Sequence, residues 1–295
     1  MRLKADLTLL FVSIIWGSAF VAQRVVGRLG SVYLFNGARY LLAALVVLPF
    51  VRRRDISSMP KDQFKWMFVA GLILFLGSAL QQAGMVYTTA SNAGFITGLY
   101  VVLVPVFLFI FWRIRPHWLS VLAVFLAAGG AYLLSTAGEF RLQRGDTVEF
   151  IGAIFWTLHV IVLGRFARDF EPMSFSLGQL IVCGILNSLM GFLFESPIQV
   201  SWEIFYAVSY TAFFALGLCY TLQIWAQRHT SPSDAALILS LESVFAAISG
   251  WVMLHESLRT IQLAGCVLIF LAVVISQLRV YSSTTVDHDH LVEGR

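Results

Sequence analysis

Few side chains in this sequence can do chemistry, and most of those stand inside long apolar runs. Glu242 lies near the centre of the run 232–253. A two-carbon carboxyl there cannot reach the ends of an apolar helix, so it must be neutral, paired or facing water in an interior cavity. It can serve as a proton carrier, a substrate contact or an interhelical hydrogen bond. Gln81, Gln82, Asn187, Gln223 and His159 also fall within apolar runs, and the cost of exposing polar groups to hydrocarbon turns them inward. Trp16 and Trp156 sit in mid-run, away from the interfacial belts where tryptophan is usual. Their flat faces can stack on an aromatic ligand or pack helices together. Trp156 and His159 are three residues apart, so on a helix they share one face, where His159 is either a satisfied interior histidine or a proton carrier. Arg39 lies several residues into its run, with a chain long enough to snorkel to the interface or to contact a substrate or gate. Asp234 belongs to Ser231-Pro232-Ser233-Asp234, which reads as a helix start with serine at the cap and proline in the first turn.

Membrane-spanning helices must position these groups. Of 295 residues, 59% are hydrophobic and 12% charged, and the mean hydropathy is +0.82; a soluble domain carries about a quarter of its residues charged. Crossing a hydrocarbon core of about 30 Å takes roughly 20 apolar residues as a helix. Ten runs meet that criterion: 6–26, 32–51, 64–85, 91–112, 117–135, 147–167, 173–194, 203–224, 232–253 and 260–280. The expected fold class is therefore an all-α integral membrane protein. The first run has the basic start of a signal peptide but is long enough to span.

Of the 20 Lys and Arg residues, Arg39 is within a span. With the N-terminus inside, Arg24, Arg28, Arg141, Arg144 and Arg259 fall outside, and the other fourteen fall on the inner face. That bias predicts cytoplasmic N- and C-termini in a cell (inner) membrane. Arg52-Arg53-Arg54 is then a topology anchor beside membrane lipids. The net charge of +4 is spread over short gaps, so no nucleic-acid surface is expected.

The chain reads as two halves. Asp6/Asp146, Trp16/Trp156 and Arg28/Arg168 are each 140 residues apart, while Gln81/Gln223, Asn92/Asp234, Ala93/Ala235 and Tyr100/Glu242 are 142 apart. The halves are 1–138 and 146–281, followed by a polar cytoplasmic tail, 282–295, read as disordered. Five spans per half, an odd number, make the repeat inverted, an architecture recurrent among secondary transporters.

In sequence order, IIWGSAFVA, GARYLLAALVVLP, TTASNAGFITGLYVVLVPVF, LESVFAAISGWVMLHESL and LAGCVLIFLAVVIS resemble the EamA-type branch of the drug/metabolite transporter superfamily over nearly the whole chain. The resemblance implies ten helices in two inverted five-helix repeats. It further implies a secondary transporter exporting small metabolites, amino acids including aromatic ones, by alternating access through a central cavity. Two positions depart from the family pattern: Ser243 stands where a proline is usual, and His255 where a glycine precedes Glu256.

On this reading the substrate contacts are Trp16, Gln81, Gln82, Tyr100, Trp156, His159, Asn187 and Glu242. Arg39, Gly94, Gly98, Pro105 and Glu256 have gate or structural roles, the glycines and proline by allowing the fourth span to kink. The scarcity of ionisable groups within spans favours uncoupled movement. The partners are a small-molecule substrate and lipids, with a monomer expected. No cofactor is expected, since the chain has no GxxxxGK phosphate loop, no HExxH and no metal-ligand spacing among Cys183, Cys219 and Cys266. A transporter of another metabolite such as a nucleoside is the alternative. From other classes, a channel, a lipid scramblase or a membrane-embedded transferase remain; for the last, His255-Glu256 lacks the second histidine of a zinc motif.

Overall fold

The computed structural model describes residues 1–27, 32–52, 54–55, 59–88, 90–136, 144–196, 201–255 and 257–292. Ten helices in it are long and apolar enough to cross a membrane: α1 (Arg2–Gly27), α2 (Tyr33–Phe50), α3 (Lys61–Met85), α4 (Ala93–Trp112), α5 (Trp118–Thr136), α6 (Arg144–Arg165), α7 (Pro172–Phe194), α8 (Trp202–Gln227), α9 (Pro232–Met253) and α10 (Thr260–Leu278). Among the described residues there is no strand. Large apolar side chains cover the outer faces, as with Phe125 at 71% and Phe192 at 80% exposure. So wide an apolar exterior suits lipid and not water. Small residues let the helices approach, since α5 meets α10 where Gly130 lies against the Gly265 carbonyl.

The halves interlock. α1 packs on α8 and α9 of the other half, and α6 packs correspondingly on α3 and α4; α2 pairs with α7, and α5 with α10. A cross-half hydrogen bond recurs at matching places. Thr230 donates to Asp6 (3.1 Å) near the chain start, and Thr88 donates to Asp146 (3.1 Å) at the opposite end.

α4 and α9 are both broken at their middles. Helix runs over Ala90–Gly98 and resumes at Tyr100–Trp112; in α9 it runs over Pro232–Leu239 and resumes at Glu242–Leu254. Each interruption carries the same tight turn, Leu99 N–H to the Ile96 carbonyl (3.1 Å) and Leu241 N–H to the Ile238 carbonyl (3.2 Å). The α4 kink thus falls after Gly98 and not at Pro105, which stays inside the second segment. α9 has neither glycine nor proline at its break. There the Ser240 hydroxyl bonds back to the Leu237 carbonyl (2.7 Å), a bond that bends helices.

Both broken helices end on a left-handed residue, Arg113 (φ 57°) and His255 (φ 54°), again 142 residues apart. A side chain is strained in that region, where glycine is usual. The glycine expected at position 255 from the family pattern therefore has a conformational cause. Glu256 lies outside the described residues.

At the start of α9, Ser231 caps the helix by accepting from the Asp234 N–H (3.2 Å), as its sequence implies. At the chain end the helix of α10 continues to Val292, so 282–292, expected to be disordered, is helical. Adding residues to an existing helix avoids the nucleation cost that would prevent so polar a segment from folding alone.

Candidate functional site

A small cavity of about 60 Å³ lies between the halves. Three matching pairs line it: Trp16 with Trp156, Gln81 with Gln223, and Tyr100 with Glu242. Helix geometry accounts for their convergence. Trp16 and Trp156 face inward from α1 and α6, which cross to the other half, while Tyr100 and Glu242 are the first residues after the two helix breaks.

The rings form a chain. Trp156 meets His159 edge-on (6.2 Å between centroids), His159 meets Tyr220 (5.6 Å), and Tyr220 meets both Trp16 (5.4 Å) and Tyr40 (6.4 Å). The tryptophans differ in one respect. Trp16 Nε1 donates to the Ala215 carbonyl (2.7 Å), in a π-helical stretch of α8, Thr211–Leu218. The Trp156 Nε1 is buried with no partner, leaving a donor for a ligand. His159 is held by Gln179 (2.9 Å), as expected of a satisfied interior histidine.

Charge enters from two sides. Glu242 is 4% exposed, with the Tyr100 hydroxyl beside its carboxyl group. Arg39 is 3% exposed, so the snorkelling alternative is corrected. Its Nε donates to Asn36 Oδ1 (3.0 Å), and its guanidinium lies over Phe35 (4.9 Å) and Tyr40 (5.3 Å). Those partners draw it into the cavity wall, where among the described residues it has no carboxylate partner. One cavity thus holds a guanidinium, a carboxyl group and a chain of contacting rings.

Two candidates stand elsewhere. Gln82 points away from its neighbour Gln81 and donates to the Gln23 carbonyl (3.2 Å), tying α3 to α1. Asn187 bonds back to the Cys183 carbonyl (3.0 Å) within α7. Gly94 and Gly98 lie against α9, where Ser243, in the place of the usual proline, donates to the Gly94 carbonyl (2.9 Å). Tyr40, Tyr220, Gln23 and Thr97 line the cavity without having been singled out in sequence. Aromatic residues in an apolar run read as packing, and only the neighbouring Arg39 could have drawn attention to Tyr40. Among the described residues no group of His, Cys, Asp or Glu is arranged to hold a metal ion.

Ten spanning helices in two interlocked halves around a lined central cavity define a multi-pass membrane transporter of the two-repeat kind. The chain belongs to the EamA-like transporter family, whose model matches residues 3–136 and again residues 143–278. It is 36% identical over 279 residues to an uncharacterized transporter of Archaeoglobus fulgidus, covering 95% of this chain and 87% of that one. It is 24% identical to the uncharacterized inner membrane transporter YedA of Escherichia coli (strain K12), covering 91% and 89%. A solved crystal structure at 15% identity superposes with a TM-score of 0.79 over 94% of this chain and 99% of that one, a likeness of fold alone.

Proposed function

We propose that this protein exports small metabolites, amino acids including aromatic ones, by alternating access through the central cavity. In this reading it lies in the inner membrane with both termini cytoplasmic. The observation that carries the proposal is the combination of Arg39, Glu242 and the ring chain in one cavity. A zwitterion with a flat side chain matches it: the carboxylate goes to the guanidinium, the ammonium to Glu242, and the ring against the aromatic wall. Buried charges exact a high cost unless paired, so a ligand supplying both missing partners binds better than a neutral one.

The interruptions in α4 and α9 supply the moving parts. Each sits beside a cavity-lining side chain, and discontinuous helices flank the substrate site in several transporter folds. Gly94, Gly98 and Pro105 keep α4 deformable, and the opposed halves can rock about α2 and α7.

Counterflow in proteoliposomes containing the purified protein tests the substrate. Vesicles preloaded with a range of unlabelled amino acids or nucleosides are given the matching radiolabelled compound. Saturable accumulation of an aromatic amino acid is expected. Exchange of nucleosides without any amino acid would overturn the assignment, and flux without saturation would point to a channel.

A further inference from the structure

Glu149 on α6 is fully buried at 0% exposure, and neither carboxyl oxygen makes a well-formed hydrogen bond, the Thr97 hydroxyl being the donor that comes near. It presses on α3, where a Cβ on Gly84 would collide with its side chain. Its counterpart in the 140-residue register is Leu9, also fully buried, so the fold does not need a carboxyl at this crossing. An ionised carboxylate is strongly disfavoured in such a place; this packing accommodates the neutral acid.

The group lies one side chain behind the cavity wall. Thr97 on α4 is the hydroxyl that faces it, and Thr97 Oγ1 already accepts from Gln81 Nε2 (2.9 Å). Both Thr97 and Gln81 line the cavity. The charged and titratable surroundings are few. Asp146 lies one turn earlier on α6, with Oδ1 accepting from Thr88 (3.1 Å). Gln81 and Gly84 from α3 and Thr97 from α4 are uncharged. Tyr87 follows α3 beside Gly145, and Arg24 of α1 donates to the Met85 carbonyl (2.6 Å).

We propose that Glu149 is a proton-binding site of the transport cycle, loaded and emptied from the cavity through Thr97. The inference rests on the transport reading above. When the proton leaves for cavity water, the carboxylate demands a donor, and the nearest is the Thr97 hydroxyl. Its turn toward Glu149 alters the Thr97–Gln81 pair in the cavity wall, the surface a substrate touches. Proton and substrate thereby act on shared groups, which is the physical requirement for coupling two ligands. Glu242, within the cavity itself, remains a substrate contact.

Two measurements on the full-length protein decide this. Infrared difference spectra of purified wild type and E149Q across a pH series should assign a protonated-carboxyl band to Glu149, lost in the variant. In proteoliposomes holding a pH-sensitive dye, net flow of an amino acid down its gradient should move protons with wild type. E149Q and Glu149→Leu, the latter copying the Leu9 side, should abolish that proton movement while keeping at least half of the counterflow. Thr97→Val should slow it several-fold. An unchanged carboxyl band, or proton movement that persists in both Glu149 variants, overturns the inference. If no amino acid exchanges with wild type, the substrate assignment fails, and the infrared band alone still decides whether Glu149 carries a proton.

Discussion

The two ends of the molecule are built from the same crossing and finished differently. Near the chain start, α1 meets α8 and α9 through Ala5, Leu9 and Ala226, all fully buried. Arg2 pins the crossing by bridging Asp6 and Asp234, each at 3.0 Å, and Asp234 also accepts from Ser231 (2.8 Å). At the opposite end α6 meets α3 through Gly145, Glu149 and Gly84, the register mates of Ala5, Leu9 and Ala226. The threonine–aspartate bond is common to both. One crossing is ion-paired through Arg2; the other buries the Glu149 carboxyl against Gly84. The shared features are those the repeat needs to fold, and the differences mark where the two ends do unlike work.

The largest expected effect lies between the ends, in the cavity. Glu242→Gln removes a charged contact to the ligand worth about 1.5–3 kcal/mol, so counterflow should fall by roughly 10- to 100-fold. Trp156→Ala should lower it more than Trp16→Phe, because Trp156 alone offers a free N–H. Equal losses would remove that distinction.

Stability should separate the ends next. Arg2→Ala removes the bridge between Asp6 and Asp234. With Arg2 a quarter exposed, the cost should be about 1–3 kcal/mol, less than for a fully buried pair. Thr88→Val, which removes a neutral donor at the other crossing, should cost about 1 kcal/mol. Thermal unfolding in detergent compares the two, and an equal or reversed order would contradict the pinned-end account. Gly84→Ala should destabilise by about 1–3 kcal/mol through collision with Glu149.

The smallest effect concerns the two left-handed residues. Replacing Arg113 or His255 with glycine should relieve strain and raise stability by no more than about 1 kcal/mol. Similar gains at both sites would show that the repeat extends to backbone conformation.

Helix number and the pairing of halves were legible because they rest on apolar length and on spacings of 140 and 142 residues. Inward-facing polar groups were legible for the same reason, since lipid excludes them. Rotation about each helix axis was not. Gln81 and Gln82 differ by about 100° in direction, and only the first reaches the cavity. Asn187 donates its amide N–H within its own helix, which no spacing reveals. Arg39 had two physically sound destinations, and Asn36, Phe35 and Tyr40 decided between them. Glu149 stood near the start of its run, where an acid reads as an interfacial residue. Its burial depends on how closely Gly84 lets α3 approach. The break in α9 had no glycine or proline to announce it.

Binding of a radiolabelled aromatic amino acid to the purified protein, measured side by side for wild type, Arg39→Ala and Glu242→Gln, tests the central claim most directly. Saturable binding by wild type that is weakened at least tenfold in both variants is the predicted result. Binding of equal strength in all three proteins would contradict it.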